Sequence, residues 1–371
     1  MTLDDVLHAG VGRVYTAAVV HVRRGGRVVY ERAVGQPNPE ASPAPTRVDT
    51  LFDLASVTKV FTTTAFLALV EEGRIEVDTP LARVFPQFTG RREIRGYEDP
   101  LHPGEWITVE SGGQVDAGRV TFRQVLTHTS GLPAWRPLYT LPPDAIRPTV
   151  LDTFFAYRPG TRVVYSDIGL ILLGWALEAL TARPLDRVIE EVVTRPLGLT
   201  SVHFRPVGRT PFEENIAATE VCPHRGRRVW GEVHDENAWA LGGIAGHAGL
   251  FATARDVAGL GQAWLDRLQG RGDLPLSTAL AREAVQEQAR DGDVRRGLGW
   301  ALRSPLPEGF TFPLGERTFG HSGFTGTSLY VDPERELVIA ALTNRVYFGR
   351  DAAPILQWRR ELHERVVAIW G

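Results

Sequence analysis

Cysteine and lysine are almost missing from this sequence. Its 371 residues include one cysteine, Cys222, and one lysine, Lys59. A single cysteine cannot close a disulfide within the chain, so nothing in the sequence indicates an oxidising compartment. The first residues also lack a basic segment followed by an unbroken apolar run, which is the pattern of a secretion signal. We therefore expect a cytoplasmic protein.

The sequence also lacks an excess of charge of one sign and a long apolar run. Its net charge is -3, and its basic residues form no stripe that would follow a phosphate backbone. The longest apolar stretch, residues 168–180, contains Gly and Glu and is shorter than the roughly 20 residues of a membrane span. We expect a globular protein with no membrane span and no nucleic-acid partner.

Lys59 is the lone lysine among 41 Lys plus Arg residues, so arginine supplies every other strong positive charge. Arginine serves wherever a charge solvates a surface or pairs with a carboxylate, but it cannot release its proton at accessible pH. Lysine can do so when burial or a nearby positive potential lowers its pKa. The retained lysine is therefore predicted to act as a base.

Ser56 lies three residues before Lys59, ahead of an apolar stretch that predicts a buried helix from residue 59 to residue 72. On such a helix Ser56 occupies the first turn, and side chains at i and i+3 share a face. The positive end of the helix dipole disfavours an ammonium there and favours an oxyanion, which predicts a neutral lysine base. The alternative is a surface lysine beside a helix-capping serine.

Two further segments carry candidate chemistry. Tyr165-Ser166-Asp167 leads into an apolar helix, and His321-Ser322-Gly323 belongs to a Gly-rich strand whose small side chains can admit a ligand along its edge. A nucleophilic serine needs a second proton carrier and groups that hold the substrate carbonyl, and these segments offer both. Taken singly, each is also compatible with a buried tyrosine or histidine of purely structural role.

The order Ser-x-x-Lys, Tyr-x-Asp, His-x-Gly resembles the motifs of class C β-lactamases, D-alanyl-D-alanine peptidases and related serine esterases. Residues 126–132 and 241–251 also look like structural stretches of such hydrolases. The resemblance implies an acyl-enzyme mechanism without a cofactor. It further implies an α+β, β-lactamase/transpeptidase-like fold, in which an antiparallel sheet is flanked by helices.

The resemblance also implies a role for each matching residue. The Tyr165 phenol would carry the proton between Ser56, its base and the leaving group. His321 matches the first residue of the third motif, and the N–H of Phe324 would join that of Ser56 in an oxyanion hole. We therefore expect catalytic roles for Ser56, Lys59, Tyr165 and His321, and substrate or oxyanion contacts from Ser56, Asp167, Ser322, Gly323 and Phe324.

Two positions depart from the penicillin-active members of that family. Asp167 stands where those members usually carry asparagine, and an ionised aspartate only accepts hydrogen bonds from a substrate amide. His321 replaces a permanent lysine cation, which weakens attraction for a substrate carboxylate. Both favour a carboxylesterase-like hydrolase of small esters, amides or peptides. A D-Ala-D-Ala peptidase, a β-lactamase, and a catalytically silent ligand- or penicillin-binding protein are the alternatives.

The predicted strands lie at both ends of the chain. We expect a sheet domain of residues 1–80 plus 286–371, an inserted and mostly helical domain of residues 81–285, and the active site in the cleft between them. Residues 90–118 are either a lid over that cleft or a plain surface loop. The strands are predicted at 14–23, 27–34, 298–302, 318–322, 327–331 and 337–344, with a last helix at 353–369.

A metal site is the remaining alternative, because Cys222, His224, His234, Asp235 and His247 fall within one short stretch. Their spacing fits no standard zinc pattern, so we expect no metal. We expect His234, Asp235 and His247 to form a wall of the cleft instead. The sequence leaves the oligomeric state and the natural substrate open.

Overall fold

The computed structural model describes residues 2–102, 104–208, 215–304 and 313–371. Its main feature is an antiparallel sheet of eight strands formed by both ends of the chain. In spatial order the strands are Ala289–Asp291, Val294–Arg296, Ala301–Leu302, Phe319–Ser322, Ser328–Asp332, Leu337–Thr343, Ala17–Arg24 and Arg27–Gly35.

The two faces of this sheet belong to two different hydrophobic clusters. Ala17 and Val19 point into the larger cluster, whereas Ala18 and Val20 point into the smaller one, as the two-residue period of a strand requires. Every residue of the central strand Leu337–Thr343 is buried, because helices cover both sides of it. The sheet is therefore a layer inside the molecule.

Helices cover each face of the sheet. Helix Ala254–Leu268 approaches one face closely, since a Cβ at Gly261 would lie 2.7 Å from the Val338 side chain. The terminal helices pack on the other face. The helices are Leu3–Gly10, Thr58–Glu71, Phe122–Leu126, Pro143–Leu151, Asp167–Thr181, Leu185–Ile189, Glu236–Ala240, Ala254–Leu268, Thr278–Ala284 and Ala353–Trp370.

The strand and helix predictions agree with the structure at both ends of the chain. The N-terminal hairpin turns at Gly25 and Gly26, whose positive φ angles of 54° and 77° suit a tight hairpin turn. The prediction of a strand from residue 298 is wrong in extent, because only Ala301–Leu302 pairs there. Strands Ala289–Asp291 and Val294–Arg296 were not predicted, because these short polar segments lack an apolar alternation.

The segment 90–118 folds into two short antiparallel strand pairs, apart from Pro103, which lies outside the described residues. Ile94 also bridges to Phe155, which ties this segment to the helical part of the chain. The remaining short strands outside the main sheet are Phe52–Asp53, Arg91–Glu93, Tyr97–Glu98, Trp106–Ile107, Gln114–Asp116, His203–Phe204, Val221–Cys222, Arg227–Arg228 and Leu250–Ala252.

Within the described residues, no single helix has both the length and the apolar character needed to cross a membrane. Helices Asp167–Thr181 and Leu185–Thr194 reach that length and apolar character only when they are counted together, and the chain bends by 81° between them.

Candidate active site

Ser56 lies on a short 3-10 turn, Ala55–Val57, that runs directly into helix Thr58–Glu71. The serine was predicted on the first turn of the helix itself and is found one turn earlier. Ala55 has a φ of 45°, an unfavourable left-handed conformation for a residue with a side chain. The buried Asp53 carboxylate holds this turn by accepting the Ala55 N–H at 2.8 Å.

Lys59 reaches back from the helix to Ser56 as the spacing predicts. Its Nζ lies 2.8 Å from Ser56 Oγ, 3.0 Å from the carbonyl oxygen of His247 and 2.7 Å from Asp167 Oδ1. The side chain is only 1% exposed. An ammonium has N–H donors and no acceptor, and Lys59 donates to Ser56 Oγ and to the His247 carbonyl while the Asp167 carboxylate lies at ion-pair distance. The geometry is that of a charged lysine.

The expectation of a neutral lysine in the resting protein is therefore wrong. Burial acts to lower the pKa of Lys59, but the Asp167 carboxylate and the Tyr165 hydroxyl act in the opposite direction and leave it raised. A carboxylate in direct contact outweighs the partial charge at a helix end, which is why the dipole argument failed. Residue 167 decides the charge of the lysine.

The carbonyl of His247 is fixed by close backbone packing. A Cβ at Gly174 would lie 2.9 Å from the Gly246 nitrogen, so the helix that starts at Asp167 touches the loop before His247. The His247 ring is buried, and its Nε2 is 2.9 Å from Asp235 Oδ1. Asp235 lines the cleft as predicted, whereas His247 lies behind it and contributes its carbonyl group.

Tyr165 stands beside this lysine, directly before helix Asp167–Thr181. The Lys59 Nζ lies 4.8 Å from the centre of its ring. Burial raises the pKa of the phenol, and Lys59 and Ser56 partly offset this. Its buried hydroxyl forms no hydrogen bond of good geometry with any described residue. The phenol thus lies beside Lys59 as a neutral hydroxyl and lines the same cavities as Ser56.

His128 positions Tyr165, a role that the sequence did not reveal. The His128 ring packs 4.6 Å from the Tyr165 ring, and its Nδ1 accepts the N–H of Ser166 at 3.0 Å. Burial, followed by the charge of Arg296, holds the pKa of His128 well below its ordinary value, so the ring is neutral and can accept. A Thr-His-Thr-Ser stretch gives no signal for such a contact.

His321 lies at the end of strand Phe319–Ser322, with Tyr165 5.8 Å away between ring centres. Burial, helped by Lys59 and Arg296, lowers its pKa to about 3, so the ring is neutral. Its Nδ1 lies 2.8 Å from the Ser322 carbonyl oxygen. Because a carbonyl only accepts, Nδ1 carries the proton and Nε2 is a bare acceptor. That Nε2 is buried without a partner among the described residues.

The turn after this strand is tied to the segment before the nucleophile. Thr325 Oγ1 donates to the Asp53 carbonyl at 2.7 Å, and Thr327 Oγ1 donates to the Leu54 carbonyl at 2.8 Å. Gly323 fits between them, since a Cβ there would lie 2.4 Å from the Leu54 oxygen. No larger residue fits this position, which brings the following amide to the edge of the serine turn.

Phe324 follows that glycine and lines the same cavities as Ser56. Its ring stacks on His234 at 5.6 Å and lies 4.5 Å from the Arg345 guanidinium. Fixed in this way, its backbone N–H can serve together with that of Ser56 as a pair of donors to a carbonyl oxygen.

Ser56, Tyr165 and Phe324 lie between two cavities of opposite charge. The larger has a volume of about 530 Å³ and is lined on one side by His321 and Ser322. No Asp or Glu lines it among the described residues, although four arginines do. They are Arg295, Arg296, Arg345 and Arg359.

The smaller cavity has a volume of about 250 Å³ and an acidic lining. Asp167, Asp235 and Glu236 face it, together with His234 and with Arg350 as the one arginine among its described lining. The segment 90–118 contributes Pro100 and Leu101, so its tip does reach the cleft. Whether it opens and closes as a lid stays a prediction.

The five metal candidates do not converge on one point. His234 Nε2 lies 2.9 Å from Glu220, and His247 pairs with Asp235. The His224 ring instead packs 4.7 Å from Tyr139. Among the described residues, no group of three or more His, Cys, Asp or Glu side chains is arranged to hold a metal ion.

Known proteins are similar to this chain in sequence and in fold. Residues 3–364 match the family model described as beta-lactamase. The chain is 30% identical to a protein of Escherichia coli K12 with the provisional name D-alanyl-D-alanine carboxypeptidase, over 89% of this chain and 79% of that one. These matches identify the family independently of any single site residue.

Solved structures agree with this at the level of the fold. One is EstCE1, a hydrolase with promiscuous acyltransferase activity, with a TM-score of 0.72, 21% identity and coverage of 96% of this chain and 97% of that one. Another is the octameric penicillin-binding protein homologue from Pyrococcus abyssi, with a TM-score of 0.72, 22% identity and coverage of 99% and 76%. They confirm the predicted α+β fold. The family model and the Escherichia coli relative establish that this chain belongs to the beta-lactamase family.

Proposed function

We propose that this protein is a serine hydrolase that works through an acyl-enzyme on Ser56, and that it removes a carboxylate-bearing residue from the end of a short peptide. This is a carboxypeptidase activity of the D-alanyl-D-alanine type. The observation that carries the choice of substrate is Arg296, a half-buried cation that lines the same cavity as Ser56 and forms no ion pair with a described carboxylate.

The chemistry follows from the contacts around Ser56. Its Oγ attacks the substrate carbonyl carbon while its proton passes to Lys59, which has to be neutral at that moment. The amides of Ser56 and Phe324 stabilise the oxyanion. The bond to the leaving group then breaks as that group takes a proton from the Tyr165 hydroxyl, which Lys59 restores. Water releases the acyl group by the same steps in reverse.

Arg296 supports a carboxylate on the leaving group. Its guanidinium lies over the Tyr165 ring, 5.6 Å from the ring centre, and lines the same cavity as Tyr165 and Ser56. Burial lowers its pKa, and no ion pair joins it to a described carboxylate. Its Nε is buried and has no hydrogen-bond partner in the described part of the chain. An arginine left in this state is stabilised by an anionic ligand.

Arg296 supplies a positive charge that His321 does not. The pKa of His321 is about 3, so its ring is neutral and attracts a carboxylate only weakly, as the sequence predicts. The positive charge comes instead from Arg296 on strand Val294–Arg296. Among so many arginines, nothing in the sequence distinguished this one.

The test compares D-alanyl-D-alanine peptides that end in a free carboxylate with the same peptides ending in an amide, with release of the terminal residue measured by mass spectrometry. Ser56→Ala is the blank. We expect kcat/KM to favour the free carboxylate, and Arg296→Gln to remove that preference, by about 10- to 100-fold for a charge-assisted contact. Arg290→Gln is the matched control, because Arg290 is exposed, pairs with Glu287 and lies outside the cavity. Equal rates on acid and amide would refute the proposal.

Hydrolysis of simple esters is the second candidate function. It is favoured by the neutral His321 at the third motif, because such a side chain demands no charge on the substrate. Turnover of p-nitrophenyl butyrate without turnover of peptides would support it. A penicillin adduct on Ser56 without either turnover would support a binding protein instead.

A further inference from the structure

The charge of the smaller cavity is opposite to that of the larger one. Asp167, Asp235 and Glu236 face it, whereas the one arginine of its described lining, Arg350, already pairs with Glu220 at 2.6 Å and with Glu236. Asp235 is likewise occupied by His247. Asp167 differs from these two carboxylates, because its only described ion pair is with Lys59.

Asp167 is also close enough to contact a substrate. Lys59 Nζ is 2.7 Å from its Oδ1 and 2.8 Å from Ser56 Oγ, so the carboxylate and the serine hydroxyl both touch one nitrogen. The carboxylate is 19% exposed and lines the cavity, so it has an open side. The α-nitrogen of an acyl residue is two bonds from the carbonyl carbon that Ser56 attacks, which places it within reach of this carboxylate.

We propose that Asp167 binds the free α-ammonium group of the residue whose carbonyl group Ser56 attacks. This rests on the proposed function, since a leaving group in the arginine cavity places the acyl part in the acidic one. The preferred substrate is then a dipeptide with both ends free, with its ammonium at Asp167 and its carboxylate at Arg296. The small volume of about 250 Å³ suits a short acyl residue such as alanine.

Occupation of Asp167 also affects the base. The substrate ammonium competes with Lys59 for the same carboxylate and repels the lysine charge, and both effects favour loss of the lysine proton. The base is therefore released when the correct substrate is bound. An acylated amine cannot do this, because it carries no charge.

The experiment uses four substrates that vary the two ends independently: D-Ala-D-Ala, its N-acetyl form, and the C-terminal amides of both. The wild-type enzyme should prefer the free amine by about 10-fold or more in kcat/KM. Asp167→Asn should lose this preference while keeping the preference for a free carboxylate. Asp144→Asn is the matched control, because Asp144 is exposed on helix Pro143–Leu151, outside both cavities.

The two proposals fail separately. Failure at the C-terminal end refutes the role of Arg296 and leaves the amine comparison intact. If no peptide is cleaved, the same comparison is made with alanine and N-acetylalanine p-nitrophenyl esters, read from the burst of nitrophenol. A wild-type preference for the acetylated substrate overturns the assignment of Asp167, as does a free-amine preference that persists in a folded Asp167→Asn. Asp167→Ser replaces that variant if it does not fold.

Discussion

The buried Lys59 and the partly exposed Asp167 form an ion pair at 2.7 Å, and the same lysine nitrogen contacts the hydroxyl of Ser56. The pair explains why a lysine intended as a base is charged in the resting protein. An asparagine at position 167 would bind the lysine without stabilising its charge. The aspartate thus favours the protonated form of Lys59 and places a negative charge in the smaller cavity.

Asp167→Asn is expected to shift the pH profile toward acid. Asp167 raises the pKa of Lys59, and only the neutral lysine accepts the serine proton, so wild-type activity rises as pH increases through that pKa. Removal of the carboxylate charge lowers the pKa, so half-maximal kcat/KM occurs at a lower pH. The measurement is hydrolysis of p-nitrophenyl butyrate, which carries no amine, between pH 6 and pH 11, because the pKa of Lys59 is raised from its ordinary 10.5. An unchanged profile would show that the pair does not govern the base.

Lys59→Arg is expected to reduce kcat by about 1,000-fold or more, because it removes general-base catalysis while keeping the positive charge. The larger guanidinium also strains a fully buried site, at about 1–3 kcal/mol. Thermal unfolding therefore has to show that the variant is folded. A folded variant with a near-normal rate would contradict the assignment of Lys59 as base.

Gly323→Ala is expected to lower kcat by about 100- to 1,000-fold, the usual effect of a lost oxyanion donor. The added Cβ would lie 2.2 Å from Thr327 Oγ1 and 2.4 Å from the Leu54 oxygen, so the turn has to move away from the serine. Gly118→Ala is the control, since its Cβ would meet nothing closer than 3.4 Å. Steady-state kinetics with a p-nitrophenyl ester measures both variants.

Tyr165→Phe is expected to harm peptides more than activated esters. An amine leaving group needs a proton before the bond breaks, whereas nitrophenolate leaves without one. We expect a loss of about 100-fold or more on a D-alanyl peptide and a much smaller loss on a p-nitrophenyl ester. Equal losses on both substrates would mean that the phenol acts on Ser56 alone and not on the leaving group.

The contact between Ser56 and Lys59 could be predicted because the sequence around them is distinctive. One lysine among so many arginines, three residues after a serine and at the start of an apolar helix, gives a local signal that needs no knowledge of distant contacts. The hairpin and the C-terminal strands were predictable for the same reason, since alternation and turn glycines are local.

The charge of Lys59 and the role of Arg296 could not be predicted in this way. Both depend on which side chains meet across the fold, more than 100 residues apart for Lys59 and Asp167. The helix dipole was the only effect on the pKa of Lys59 that the neighbouring sequence indicated. The contact with Asp167 has a larger effect in the opposite direction. Arg296 belongs to the strand Val294–Arg296, which places it in the same cavity as Ser56. Because this strand was not predicted, the position of Arg296 was not predicted either.

The stability of the protein should decrease in acid through His321. Burial lowers its pKa from 6.5 to about 3, so between these values the unfolded chain binds a proton that the folded protein does not. The free energy of unfolding therefore has its full His321 contribution above pH 6.5 and loses it as pH falls toward 3. His321→Asn removes this titration, so urea unfolding at pH 7.5 and pH 4.5 should differ less for the variant than for the wild type. His224→Asn, at an exposed ring, is the control and should keep the wild-type difference. If His321→Asn also keeps it, the ring is protonated in the folded state, and the cavity beside Ser56 would then carry one more positive charge.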